Sequence, residues 1–215
     1  MSVSGTTTRA AWDAVAEQYR LLLPDMSAET PLDRATLAAF AEMLAADPPA
    51  VVAEVGCGAG RLTKHLRDMG LQMVGFDLAP RMAALARATN TGIPFAAADV
   101  AALPLRSAAL GGLVSWYSII NIPTESLAAV FGEFSRVTRP GAPVLIAFQS
   151  GDGQRIDRTT SYGLPVPLTY YRHRVDAAAE ELTAAGFTLY ACVTRAAALT
   201  FESTSQTALL AHRNV

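Results

Sequence analysis

Cysteine is scarce in this 215-residue chain, and lysine scarcer. Cys57 and Cys192 are the only thiols, and they form no C-x-x-C pair. That excludes a disulfide framework and leaves two small side chains suited to burial. Histidine occurs three times, at widely separated positions, so no Cys/His cluster suggests zinc and no metal is expected. No apolar run reaches the roughly 18–20 residues of a membrane span. The net charge is −2 and no long basic run occurs, so no nucleic-acid partner is expected. The opening Met1 to Thr8 lacks the basic and apolar regions of a signal peptide, which points to a cytoplasmic protein. There is no G-x-S-x-G elbow for a hydrolase and no carboxylate pair suggesting a glycosidase. Lys64 is the single lysine beside 16 arginines, and alanine is abundant, a bias of GC-rich genomes.

What the chain does have is apolar bulk, with 51% hydrophobic residues, and one informative turn. At this length a single domain spanning 1–215 is expected to bury about 70% of its unfolded surface. Val51-Val52-Ala53-Glu54-Val55 reads as a buried strand, and Gly56-Cys57-Gly58-Ala59-Gly60 as a glycine turn. A helix follows from Arg61. Glycine is required where the backbone takes positive φ or lets a ligand lie against it. A strand–glycine–helix turn is where nucleotide-like ligands bind in open α/β sheets. A dinucleotide fingerprint would place its third glycine at position 61, which is Arg61 here. A nicotinamide-dependent oxidoreductase is therefore the weaker reading of this turn.

Strand and helix signals alternate from residue 51 onward, the pattern of a doubly wound α/β sheet. Strands are expected at 51–55, 72–76, 93–97, 111–117, 142–148, 187–193 and 206–212. Helices are expected near 60–69, 80–89, 124–138 and 175–185, with Thr124 as an N-cap and Gly186 just past the last helix. Residues 1–46 form a helical cap, in which Trp12, Val15, Ala16 and Tyr19 share a face and Pro31–Ala46 is a second helix. Asp47-Pro48-Pro49 closes it. Residues 149–174 lack periodicity and read as a long substrate-side loop.

The carboxyl ends of the strands carry the chemistry. Asp77 closes the second strand, 21 residues beyond Gly56, near the spacing at which a carboxylate meets ribose hydroxyls. Leu78 leads into the next helix, where Met82 is placed to pack on a purine face. Asp99 closes the third strand and is suited to accept an adenine amino hydrogen, with the Val100 amide beside it. The fourth strand ends on Trp116 and Tyr117. Packing on one side and ligand contact on the other divide these two.

Together these pieces resemble the class I S-adenosylmethionine (SAM)-dependent methyltransferases. Glu54 to Gly60 is similar to the family's first motif, Gly75-Phe76-Asp77 to its second, and Asp99 to its third acidic position. Trp12-Asp13-Ala14-Val15-Ala16-Glu17-Gln18-Tyr19 resembles its lead-in helix, and Phe134 to Ala142 its passage into the fifth strand. The texture resembles actinobacterial small-molecule methyltransferases. The resemblance implies a Rossmann-like seven-stranded sheet whose last strand is antiparallel, lying between the strands at 142–148 and 187–193. It implies that SAM is the cofactor and that the acceptor is a small molecule, oxygen being favoured over carbon or nitrogen. It also implies that the glycine turn, with Cys57 and Gly60 in it, receives the methionine part. Glu54 would orient the turn and the cofactor's ammonium, and Tyr19 would close the site. A non-transferring SAM-binding member is the alternative function. A monomer or homodimer is expected. Of the histidines, His65 reads as structural, His212 as exposed, and His173 as either a catalytic base or an ordinary capping residue. Tyr117 is the second catalytic candidate.

Overall fold

The computed structural model describes residues 3–45 and 50–215. The expected stop at Asp47-Pro48-Pro49 lies outside these. Two helices lead, α1 (Val3–Leu22) and α2 (Pro31–Ala45). Thr30 and Asp33 bond reciprocally at the start of α2, satisfying amides that the first turn leaves unpaired. The alternation follows: β1 (Val51–Val55), α3 (Arg61–Asp68), β2 (Gln72–Asp77), α4 (Pro80–Thr89), β3 (Phe95–Ala97) and β4 (Gly112–Trp116). Then come α5 (Leu127–Val137), β5 (Pro143–Gln149), β6 (Gln154–Arg158), β7 (Leu168–Arg172), α6 (Val175–Ala184), β8 (Phe187–Arg195) and β9 (Gln206–Arg213).

Seven strands form one sheet in the order β3-β2-β1-β4-β5-β9-β8. The pairings among the first five are parallel, while β9 runs antiparallel to both β5 and β8. The last strand therefore sits where the sequence resemblance placed it. Both faces are covered, so β5 is apolar almost throughout rather than alternating polar and apolar. Its odd and even positions still divide by face. Val144 and Ile146 pack with Phe131 and Phe134 of α5, whereas Leu145 and Ala147 pack with Leu37 and Phe40 of α2. Residues Ala16 of α1 and Met82 of α4 form a small separate core with Ala79.

Strand order reverses between β1 and β4. In open sheets the crevice beyond such a switch point is where ligands bind. Everything described below stands at that carboxyl edge.

Two expectations are corrected. Residues 149–174 are not an irregular loop. They hold the antiparallel pair β6–β7, with Gln154 opposite Arg172 and Arg158 opposite Leu168. The polar/apolar alternation was hidden because both strands are short and half exposed. Thr124 does not cap α5 with its side chain; it starts a single 3-10 turn, and its hydroxyl bonds the His173 ring instead.

Candidate active site

The turn after β1 takes positive φ at all three glycines, +73° at Gly56, +53° at Gly58 and +82° at Gly60. Each needs glycine for a different neighbour. A Cβ on Gly56 would lie 2.1 Å from Ser118 Cβ, and one on Gly58 would lie 3.1 Å from the Tyr19 ring. A Cβ on Gly60 would meet Asn90 and Phe95 at 2.8 and 2.9 Å, behind the turn. Gly60 thus serves close packing of α3, not a ligand.

Asp77 ties the turn to β2. Its Oδ2 accepts the Gly58 amide and its Oδ1 the Ala79 amide, both at 2.8 Å. Burial pushes its carboxyl up to about 6, against the pull of those two bonds. Each oxygen keeps a second lone pair, so a diol remains bindable.

A cavity of about 600 Å³ opens along this edge. Of the residues singled out in the sequence, Tyr19, Gly56, Gly58, Asp77, Leu78 and Met82 line it at one end. Asp99, Val100, Trp116 and Tyr117 also line it. Asp99 additionally accepts the Ala101 amide at 3.0 Å, a turn bond that fixes its carboxylate. Trp12, Tyr19 and Tyr162 pack ring to ring at 5.3–5.7 Å and wall the cavity.

Four expected residues stand elsewhere. His173 is fully buried, with Nε2 3.0 Å from the Ile119 carbonyl and Nδ1 3.2 Å from Thr124 Oγ1. Both ring nitrogens are engaged by the fold, and burial lowers its pKa, so it is corrected from candidate base to anchor of the β7 end. Glu54 is 3% exposed and does not line the cavity; the Thr63 hydroxyl donates to it. Burial pushes its carboxyl up to about 8, and it lies outside the cavity lining. Cys57 is buried with its thiol 3.7 Å from the Gly58 carbonyl, and Gly60 faces Asn90. None of the four reaches the cavity.

Other residues at the cavity escaped the sequence reading. Arg61 pairs with buried Glu29 at 2.6 Å, and Glu29 also accepts the Trp116 indole N–H at 3.2 Å. Arg195 is clamped between Asp33 and Glu202, at 2.9 and 2.6 Å. No local pattern announces the Arg61–Glu29 and Arg195–Asp33 pairs, whose partners stand 32 and 162 positions apart. Tyr117 sits above this knot with φ +57°, a strained value for a tyrosine. Burial pushes its hydroxyl well above the usual range, with the carboxylates of Asp33 and Glu202 acting in the same direction. Tyr117 is thus a hydrogen-bond donor and not a base.

A family model described as a methyltransferase domain matches residues 52–141. That match covers 90 of the 215 residues, less than half of the chain. The malonyl-(acyl-carrier protein) O-methyltransferase of Yersinia pestis is 29% identical over 143 residues, covering 60% of this chain and 53% of that protein. The chain therefore spans about half the length of that curated relative. The magnesium protoporphyrin IX methyltransferase of Synechocystis, solved with bound SAM, superposes with a TM-score of 0.73 at 17% identity, covering 100% of this chain and 99% of that one. The 1,6-didemethyltoxoflavin-N1-methyltransferase of Burkholderia thailandensis gives 0.71 at 20% identity, covering 98% and 88%. At such identities these two likenesses speak for the fold.

The residues lining the cavity fit SAM. Two strand-end carboxylates suit ribose hydroxyls and an adenine amine, and Met82 and Leu78 offer an apolar slot between them.

Proposed function

We infer that this chain binds SAM in the 600 Å³ cavity and transfers its methyl group to a small organic acceptor held beneath the β6–β7 hairpin, oxygen being favoured over carbon or nitrogen. One observation carries this reading. A single cavity is lined by the glycine turn, by the acids closing β2 and β3, and by Trp116, Tyr117 and residues of the β6–β7 hairpin.

Bound SAM supplies a methyl group already activated on a sulfonium. The chain's own residues supply position and dryness, which can carry much of an in-line displacement. Asp77 offers a free lone pair on each oxygen to the ribose, Asp99 and the Val100 amide address the adenine edge, and Met82 packs on its face. The backbone at Gly56 and Gly58 lies flush because no Cβ intervenes. Trp12, Tyr19 and Tyr162 exclude water along one wall, and the Trp12 indole is fixed by Asn121 at 3.1 Å. At the other end the neutral Tyr117 hydroxyl can donate to an acceptor. The carboxylates lining that end, Glu29 and Glu202, are each paired with an arginine, so none of the described residues there is placed as a free base.

Turnover of methyl-labelled SAM with a panel of small phenols, acids and amines tests the function. Label appearing on an acceptor supports it. Saturable SAM binding with no transfer to any acceptor moves the chain to the non-transferring reading. Micromolar NADH binding revives the oxidoreductase.

A further inference from the structure

Two buried side-chain polar atoms of the described residues lack a hydrogen-bond partner, Ser161 Oγ and Arg172 Nε. Both residues line the same cavity. Buried donors without partners are rare, and each calls for an explanation, such as a group that would complete the bonding there.

The charges sharpen this. Four arginines line the cavity, and two are already neutralised, Arg61 by Glu29 and Arg195 by Asp33 and Glu202. Arg158 and Arg172 make no ion pair among the described residues. The remaining lining carboxylates, Asp77 and Asp99, stand at the ends of β2 and β3, at the other end of the site. The hairpin thus carries two uncompensated cations, Arg158 and Arg172. Arg158 is four residues away along the hairpin register, about 13 Å at strand spacing, too far to share one small anion.

Arg172 is also held ready. Its Nη2 donates to Ser203 Oγ at 2.7 Å. Its stem lies over Gly151, where a Cβ would come within 2.9 Å of the Arg172 Cβ. Its carbonyl accepts the Gly153 amide at 2.9 Å, and the next residue is the doubly bonded His173. A guanidinium fixed in this way offers a planar edge, the geometry that carboxylates match. A single guanidinium within reach suits a monoanion better than a phosphate dianion.

We propose that Arg172 is the anion anchor of the acceptor site and that the acceptor carries a carboxylate. The apolar remainder of the acceptor lies against Ile120, Ile122 and Ile156, which line the cavity near the hairpin. This assignment rests on the reading that the hairpin end of the cavity is the acceptor end.

The test is calorimetric titration of hexanoate and of hexanamide, into the protein alone and into the protein saturated with S-adenosylhomocysteine. Hexanoate should bind at least about tenfold more tightly than its neutral amide, the scale of one lost charged hydrogen bond. Arg172→Gln should bring hexanoate down to the level of hexanamide and leave S-adenosylhomocysteine affinity within about threefold. Equal binding of acid and amide, no binding of either, or unchanged hexanoate binding by Arg172→Gln overturns the anchor. The acid–amide comparison in the wild type holds even where the variant folds poorly. Failure of S-adenosylhomocysteine to bind sinks the cofactor reading instead, and the titration of the unliganded protein still judges the anchor.

Discussion

The two ends of the cavity are built in opposite ways. At the glycine-turn end the decisive bonds run through backbone between neighbouring segments: Asp77 holds amides 19 and 2 residues away. At the acceptor end they join side chains across the chain. Arg195 reaches Asp33 over 162 positions, and Trp116 reaches Glu29 over 87. Backbone turns fix the first end whatever else varies. The second end can exchange partners without disturbing the sheet. A backbone-built site on one side and a side-chain-built site on the other thus share one fold.

Breaking the long-range end should cost the most stability. Arg195→Met leaves Asp33 and Glu202 largely buried without their cation, and losing one partner of such a cluster costs about 3–5 kcal/mol. A fall in Tm on the order of 10 °C is expected. SAM affinity should stay within about threefold, because no adenosine contact is touched. A variant that melts normally but no longer binds SAM would show that the two ends are not separable.

His173→Ala comes next. It removes two hydrogen bonds and a ring packed 5.9 Å from Phe148, an expected loss of about 2–3 kcal/mol by denaturant titration. Burial lowers the folded pKa below the ordinary 6.5, so the native state favours neutral imidazole. Below about pH 6.5 the unfolded chain takes up a proton that the folded one resists, and the wild type's advantage over the variant should narrow there. The pH profile of turnover should keep its shape. A loss of 10²–10⁴ in rate together with a vanished pH limb would restore His173 as a base.

Glu54→Gln is the mildest change. The folded carboxyl titrates near 8 against 4.5 when unfolded. Between these values the folded state holds a proton that the unfolded state has released, so wild-type stability falls as pH rises from about 4.5 to 8. The amide cannot ionise, and the variant should flatten that fall, gaining on wild type as pH rises from about 5 to 8. Identical slopes in thermal melts across this window would mean that Glu54 is not held neutral.

What the sequence made legible follows the same division. The strands, the antiparallel β9 and the helices came from periodicity, punctuation and family resemblance, because the buried sheet imposes one hydrophobic pattern on each element. The glycine turn, Asp77 and Asp99 were legible because their spacing is set by one strand–helix–strand unit. Glu54 was misplaced because nothing local says which side of a turn a buried acid faces. His173 was misjudged for a similar reason: its partners Ile119 and Thr124 lie some 50 positions earlier. The β6–β7 hairpin did leave a signal, two short runs around Gly163, Pro165 and Pro167, but strands exposed on one side carry little hydrophobic contrast.

The most direct measurement is calorimetric titration of SAM into the wild type, Asp77→Ala and Arg172→Gln side by side. The wild type should saturate. Asp77→Ala should bind about 30- to 1000-fold more weakly, the loss of roughly 2–4 kcal/mol of charged hydrogen bonds. Arg172→Gln should bind within about threefold of wild type. Undiminished SAM binding by Asp77→Ala, or an equal loss in both variants, would contradict a cavity with separate adenosine and acceptor ends.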